Sequence, residues 1–310
     1  MTGLLAAAPG PGLQPVFSWN LVEDVRQALM YAFMVNAFRA GAIVAVLAGL
    51  VGWFMVLRRQ SFAGHTLALV GYPGAAGAVL VGISATYGLF AFALVAALVI
   101  GLVPNVGGRG YSEESAVTGT VQAAALACGF LFVSLYGGFL SGANALLFGS
   151  FLGITSGQVL LLLVIAAIAL AVLAVIARPL LFASIDPDVA QARGVPVRGL
   201  SIGFLLLLGV AAAEVSQITG TLLVFALLVV PAATAQAWTT RPVLSVLLTV
   251  AIGVAVTWVS LLVAYYSPYP IGFFLTSFAF AVYLLAVGWR RLRADPPVTA
   301  TTKTRAAVAA

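Results

Sequence analysis

The chain has few side chains with which to do chemistry. His65 is its one histidine and Cys128 its one cysteine. A closed structural zinc site takes four such ligands, so one copy of the chain cannot build it. A lone cysteine also forms no internal disulfide. The single lysine, Lys303, stands in a polar tail with no glycine-rich turn before it. A Walker A loop needs that turn and its lysine, so P-loop binding of ATP is excluded. No nucleophile–base pair is visible, because only one imidazole is on hand to serve as base. Transport or a structural role remains, with no resident cofactor expected.

Three places hold the polar groups that remain. The first is Ser61-Phe62-Ala63-Gly64-His65-Thr66-Leu67-Ala68-Leu69-Val70-Gly71-Tyr72-Pro73-Gly74. An ionisable group in a span faces the bundle or a watery cavity, and imidazole is a preferred transition-metal ligand. His65 is therefore a candidate metal contact, against the plainer reading of a hydrogen-bonded interfacial histidine. Gly71, Gly74 and Gly77 recur every third residue and let helices approach closely. Pro73 removes a backbone hydrogen bond and kinks the helix. Pro73 and Gly74 thus offer plain helix packing, a hinge beside a path, or both.

The second place is Glu214, the only acid between residues 199 and 240. It reads as a cation-attracting group at a mouth, or as a solvated interfacial carboxylate. The third is the interruption Asp186-Pro187-Asp188-Val189-Ala190-Gln191-Ala192-Arg193-Gly194-Val195-Pro196. Asp186 can cap a short helix, with Pro187 at its first position and Asp188 in its first turn. Gly194 can end that helix and Pro196 prevents its continuation. A simple span connector does not require such capping, whereas a docking surface for a soluble partner does.

The elements that must hold these groups follow from composition. Of 310 residues, 63% are hydrophobic and 7% charged, against about a quarter charged in a soluble domain. Charge-free runs cover 40–57, 60–108, 115–177, 199–213, 215–240 and 242–289. A span needs about 20 apolar residues, so the three longest runs hold two each. The expectation is an all-α polytopic membrane protein. An amphipathic entry helix at 21–38 leads to nine spans. They lie at 39–57, two within 60–108 turning near 84–88, then 116–136, 157–177, 199–214, 218–238, 242–264 and 271–289. Eight or ten spans remain open. Residues 137–156 suit a short re-entrant segment, and 105–115 a polar loop with Glu113 and Glu114. Residues 1–20 read as a flexible tail, 21–293 as one membrane domain with the loop 178–198, and 294–310 as a disordered tail.

The net charge is +6, and the basic residues sit beside span ends, so orientation explains them better than nucleic acid does. With the Arg58–Arg59 loop placed inside, 12 of the 14 basic residues fall on that side. That sets the N-terminus outside and the C-terminus in the cytoplasm, in a plasma membrane.

At these residues the chain resembles the permease subunits of ABC-type zinc/manganese/iron uptake systems. Four stretches carry the likeness: Leu57 to Gly64 with Pro73-Gly74; Ser112 to Ala116 followed by Leu147 to Ser150; Asp186 to Ala190 through Gly194-Val195-Pro196; and Thr219 to Val224 through Pro231 to Ala235. The resemblance implies a divalent-metal importer in which two permease copies, or a copy and a related permease, surround a central path. Separate ATPase subunits dock below and an extracytoplasmic binding protein delivers cargo. Asp186, Pro187, Asp188, Ala190 and Gly194 would form the coupling helix, with Glu113 and Glu114 close by. His65, Glu214, Pro73 and Gly74 would lie on the path. The family's usual pair in the second span is an acid after the glycine and a histidine four residues on. Here those positions are His65 and Leu69. A non-metal cargo within the family, or a stand-alone transporter or channel, stays open as an alternative.

Overall fold

A computed structural model describes residues 20–103, 111–136, 153–221 and 223–293, together with 147, 149 and 151. Among them every regular element is a helix. In order these are α1 (Leu21–Leu29), α2 (Ala32–Leu57), α3 (Ser61–Leu80), α4 (Ala85–Leu102), α5 (Tyr111–Leu135), α6 (Ser156–Ile185), α7 (Pro187–Ala192), α8 (Val197–Thr219), α9 (Val224–Leu228), α10 (Val230–Trp238), α11 (Pro242–Tyr265) and α12 (Ile271–Arg293). Lipid offers backbone groups no hydrogen bonds, so a chain this apolar satisfies them within helices.

Seven helices are long and apolar enough to cross a membrane: α2, α4, α5 from Ser115, α6, α8, α11 and α12. Helix α3 and the interrupted pair α9–α10 occupy the places of two further expected spans. Helices α2 and α8 form the centre, with 67% and 61% of their apolar windows enclosed, against 11% for α5. Around α2 pack α6, α8, α9, α10 and α11, while α3 packs on α4, α5 and α8.

Several boundaries differ from the sequence expectation. The entry helix divides: α1 ends at Leu29 and α2 begins at Ala32, so Arg39 lies inside the first span. The turn after α3 comes at Val81–Ser84, closed by Gly82 with φ +81 and by an Ile83 N–H to Ala78 carbonyl bond of 2.8 Å. Glu113 and Glu114 belong to the opening turn of α5 rather than to a loop. Acids at a helix N-terminus meet the positive end of its dipole, which favours helix over loop there. Helix α6 continues through Arg178 and Pro179 to Ile185, because a cationic side chain leaving the bilayer does not end a helix. The re-entrant reading of 137–156, the rest of the polar loop and the two tails fall largely or wholly outside the described residues.

The largest difference concerns Glu214. It separates no spans: α8 runs unbroken from Val197 to Thr219 and ends at Gly220, whose φ is +83. Glutamate is a good helix former, and the stop lies where glycine supplies a left-handed turn. The next segment is correspondingly short and breaks at Val229 between α9 and α10. Pro231 has no N–H for the Leu227 carbonyl and crowds it, which accounts for the break. The irregular backbone is buried against α2, where a Cβ on Gly52 would overlap the Leu228 carbonyl.

Candidate translocation path and coupling surface

Helix α3 is buried on nearly every side between its first turn and Ala76. The exceptions above Phe62 are His65, Leu69 and Tyr72, which with Ser61 make one incompletely buried strip. Residues at i, i+4, i+8 and i+11 share a helix face. His65 and Leu69 are thus neighbours on the one face of α3 that its packing leaves open. His65 meets the Phe225 ring edge-on, centroids 5.6 Å apart at 85°. Phe225 is the only exposed residue of α9; the other four are buried. Behind the strip, Thr66 donates to Gln122 Oε1 of α5 at 2.8 Å.

Pro73 and Gly74 are buried on other faces of α3. A Cβ on Gly74 would overlap the Gly88 carbonyl of α4, and one on Gly88 would overlap the Gly74 carbonyl. The Pro73 ring lies against Gly129 of α5, where an added Cβ would sit 3.0 Å from it. Both residues make packing contacts between closely apposed helices, the first of the two roles their spacing offers. Cys128, beside Gly129, is exposed on α5.

Glu214 is fully buried, not solvated at an interface. Neither of its carboxylate oxygens has a hydrogen-bond partner.

The short helix expected after Asp186 is present as α7. The Asp186 carboxylate accepts from the Val189 N–H at 3.0 Å, and Pro187 takes the first position. At the far end Gly194 has φ +80, and the Val195 N–H reaches back to the Ala190 carbonyl at 3.0 Å. Such a closure satisfies carbonyls that a helix end leaves bare. Ala190 is fully buried against the bundle, while Asp186, Pro187, Asp188, Val189, Gln191 and Gly194 are exposed. Ile185 and Val189 stand out at 70% and 44% exposure, so α7 presents a mixed apolar and acidic surface. The side chains of Glu113 and Glu114 lie outside the described residues, and nothing places them beside α7.

Sequence reasoning treated Arg58 as a span stop and missed its tertiary role. Arg59 adopts φ 59, and the Gln60 N–H closes the turn on the Met55 carbonyl at 2.9 Å. A left-handed non-glycine residue costs about 1 kcal/mol. That turn sends the Arg58 guanidinium to Ser184 of α6 (3.1 Å), Ser201 of α8 (2.7 Å) and Gln60 (3.2 Å), with the Phe204 ring centroid 5.5 Å away. A cleft of about 660 Å³ adjoins it, bordered by Gln191, Pro196 and Ser201. The partners are 126 and 143 residues distant in sequence, so no local pattern could have revealed them.

Comparison with known proteins agrees with this arrangement. The manganese transport system membrane protein MntC of Halalkalibacterium halodurans is 31% identical over 222 residues, 72% of this chain and 75% of that protein. The chelated iron transport system membrane protein YfeC of Yersinia pestis is 30% identical over 233 residues, 75% of this chain and 78% of that one. The solved structure of PsaBC from Streptococcus pneumoniae in complex with Fab superposes with a TM-score of 0.76 at 23% identity. It covers 88% of this chain and all of that one, and shows the same fold. The model of the ABC 3 transport family matches residues 30–290. The chain therefore belongs to the ABC 3 transport family and is a membrane permease, the non-catalytic subunit of a transporter whose ATPase is a separate protein.

Proposed function

We propose that this permease imports a divalent transition metal, manganese or zinc before iron, across a bacterial plasma membrane. The open strip of α3 supports this reading: it sets the only imidazole of the chain, His65, against exposed Phe225. A transport path has to release what it binds, and one imidazole is a weak, releasable ligand. The names of the relatives point to manganese and to chelated iron. Pro73 and Gly74, on the closed faces of α3, let that helix bend while it stays packed on α4. Glu214 adds a buried carboxyl farther along. Two copies enclose the path, and an extracytoplasmic binding protein supplies the cargo. The N-terminus lies outside and the C-terminus inside, with the basic ends of α2, α8 and α12 in the cytoplasm.

ATPase subunits grip α7. Asp186, Pro187, Asp188 and Gly194 shape its exposed surface, and Ala190 passes the force to the bundle. Glu113 and Glu114 contribute to the same cytoplasmic surface. Asp188→Cys, combined with Cys128→Ala, tests this arrangement by cross-linking in membranes. A covalent adduct with the ATPase subunit is expected; labelling of the introduced thiol only from the outside would refute it.

A further inference from the structure

Most buried hydroxyls elsewhere in this bundle have a hydrogen-bond partner, commonly a carbonyl of their own helix. Ser216, Thr219, Thr249, Thr257 and Ser260 each donate to the carbonyl four residues back, at 2.6–3.0 Å. Three polar side chains at the end of α8 break that rule. Both oxygens of Glu214, the amide nitrogen of Gln217 and the hydroxyl of Thr221 are buried with no partner. Glu214 is fully enclosed and Thr221 is 1% exposed. Residues 214 and 217 share a face of α8, and Gly220 turns the chain immediately before Thr221. Burying a carboxyl without hydrogen-bond partners is costly, whether or not it carries a proton. An ionisable group kept inside a membrane domain at that cost points to an ion.

The donor set says which kind of ion. Glu214 offers two oxygens and Thr221 one, and the Gln217 amide can present its oxygen by rotation. The last carbonyls of α8 add the negative end of a helix dipole. A set of oxygens suits hard cations of the manganese and magnesium class, whereas zinc and copper favour nitrogen and sulfur. Among the described residues no three His, Cys, Asp or Glu gather, so a site with one carboxylate releases its ion readily. We propose that Glu214, Gln217 and Thr221 form an oxygen-donor cation site at the C-terminal end of α8, able to take a hard divalent cation such as Mn²⁺. It rests on the reading of this chain as a metal permease and adds a second station, chemically unlike His65.

The test uses the purified full-length chain and Glu214→Gln, with MnCl2 as the probe. Loss of the free Mn²⁺ electron paramagnetic resonance signal reports binding, and thermal unfolding reports stability. The proposal expects wild type to bind Mn²⁺ and the variant to bind it about tenfold more weakly. It also expects the variant alone to be about as stable as wild type, because an amide of the same size and neutrality replaces the buried carboxyl. His65→Ala should leave this Mn²⁺ binding in place. Equal Mn²⁺ binding by wild type and Glu214→Gln would overturn the site, as would the absence of Mn²⁺ binding by the wild type. If Glu214→Gln does not fold, Thr221→Val gives the same comparison. Mn²⁺ binding that depends on Glu214, in a transporter that accumulates no metal, would leave the site standing and overturn the import reading instead.

Discussion

Arg58 donates from its guanidinium to Ser201 Oγ at 2.7 Å. The same guanidinium reaches Ser184 at 3.1 Å. Ser184 lies on α6 just before α7, and Ser201 on α8 just after it. One side chain on α2 therefore ties together both helices that carry the exposed α7. That contact joins α6 and α8 to the foot of α2, the most enclosed of the seven candidate membrane spans.

Arg58→Ala should uncouple the transporter. Hydrogen bonds to a charged group are worth about 1.5–3 kcal/mol each in proteins, so the loss loosens the joint without unfolding the bundle. ATP hydrolysis should continue while uptake per ATP falls about tenfold. Arg58→Lys keeps the charge but not the fork that reaches two serines, and should restore part of the coupling. Parallel ATPase and uptake assays decide; equal loss of both would indicate misfolding rather than uncoupling.

The cap of α7 makes a separate prediction. Asp186→Ala removes the bond to the Val189 N–H and should cost about 1 kcal/mol of local helix stability. Asp186→Asn keeps an acceptor and should behave like wild type. The measurement is recovery of the ATPase with tagged permease. Less recovery for the alanine variant is expected, with no change in the melting temperature of the isolated permease.

Gly74 and Gly88 differ from Gly82 in a way that stability measurements can read. A side chain on either of the first two meets the opposing backbone, so Gly74→Leu should lower stability by about 3 kcal/mol or more. Gly82 has φ +81 and open space around it. Gly82→Ala should therefore cost only about 1–2 kcal/mol, from backbone strain alone. Thermal unfolding in detergent orders the two variants.

His65→Ala should raise the metal concentration needed for half-maximal uptake without changing assembly. Leu69→His adds a second imidazole one turn along the same open face. It should tighten metal binding and slow turnover. Uptake measured at limiting and saturating metal separates the two effects. Unchanged uptake by His65→Ala at limiting metal would remove this residue from the path.

Much of this molecule can be read before folding. Charge-free runs locate most of the membrane helices because lipid penalises charge, although Arg39 and Glu214 lie within α2 and α8. Asp186, Pro187 and Gly194 announce α7 because capping is local chemistry. Glu214 shows where such reading goes astray. A lone acid in an apolar run looks like a boundary, yet helices end where backbone geometry changes, and that was at Gly220. Pro231 was visible, but unbroken apolarity around it concealed the interruption between α9 and α10. Arg58, Ser184 and Ser201 meet only through tertiary packing, and so do the strip on α3 and Phe225. Pattern along the chain carries no trace of either meeting.

The most direct measurement of the whole account is ATP-driven accumulation of radioactive Mn²⁺ in proteoliposomes. The vesicles hold this permease, its ATPase and the binding protein. Accumulation above the outside concentration is expected, falling to nothing when the ATPase is left out. Equal uptake without the ATPase, or none with every component present, would contradict it.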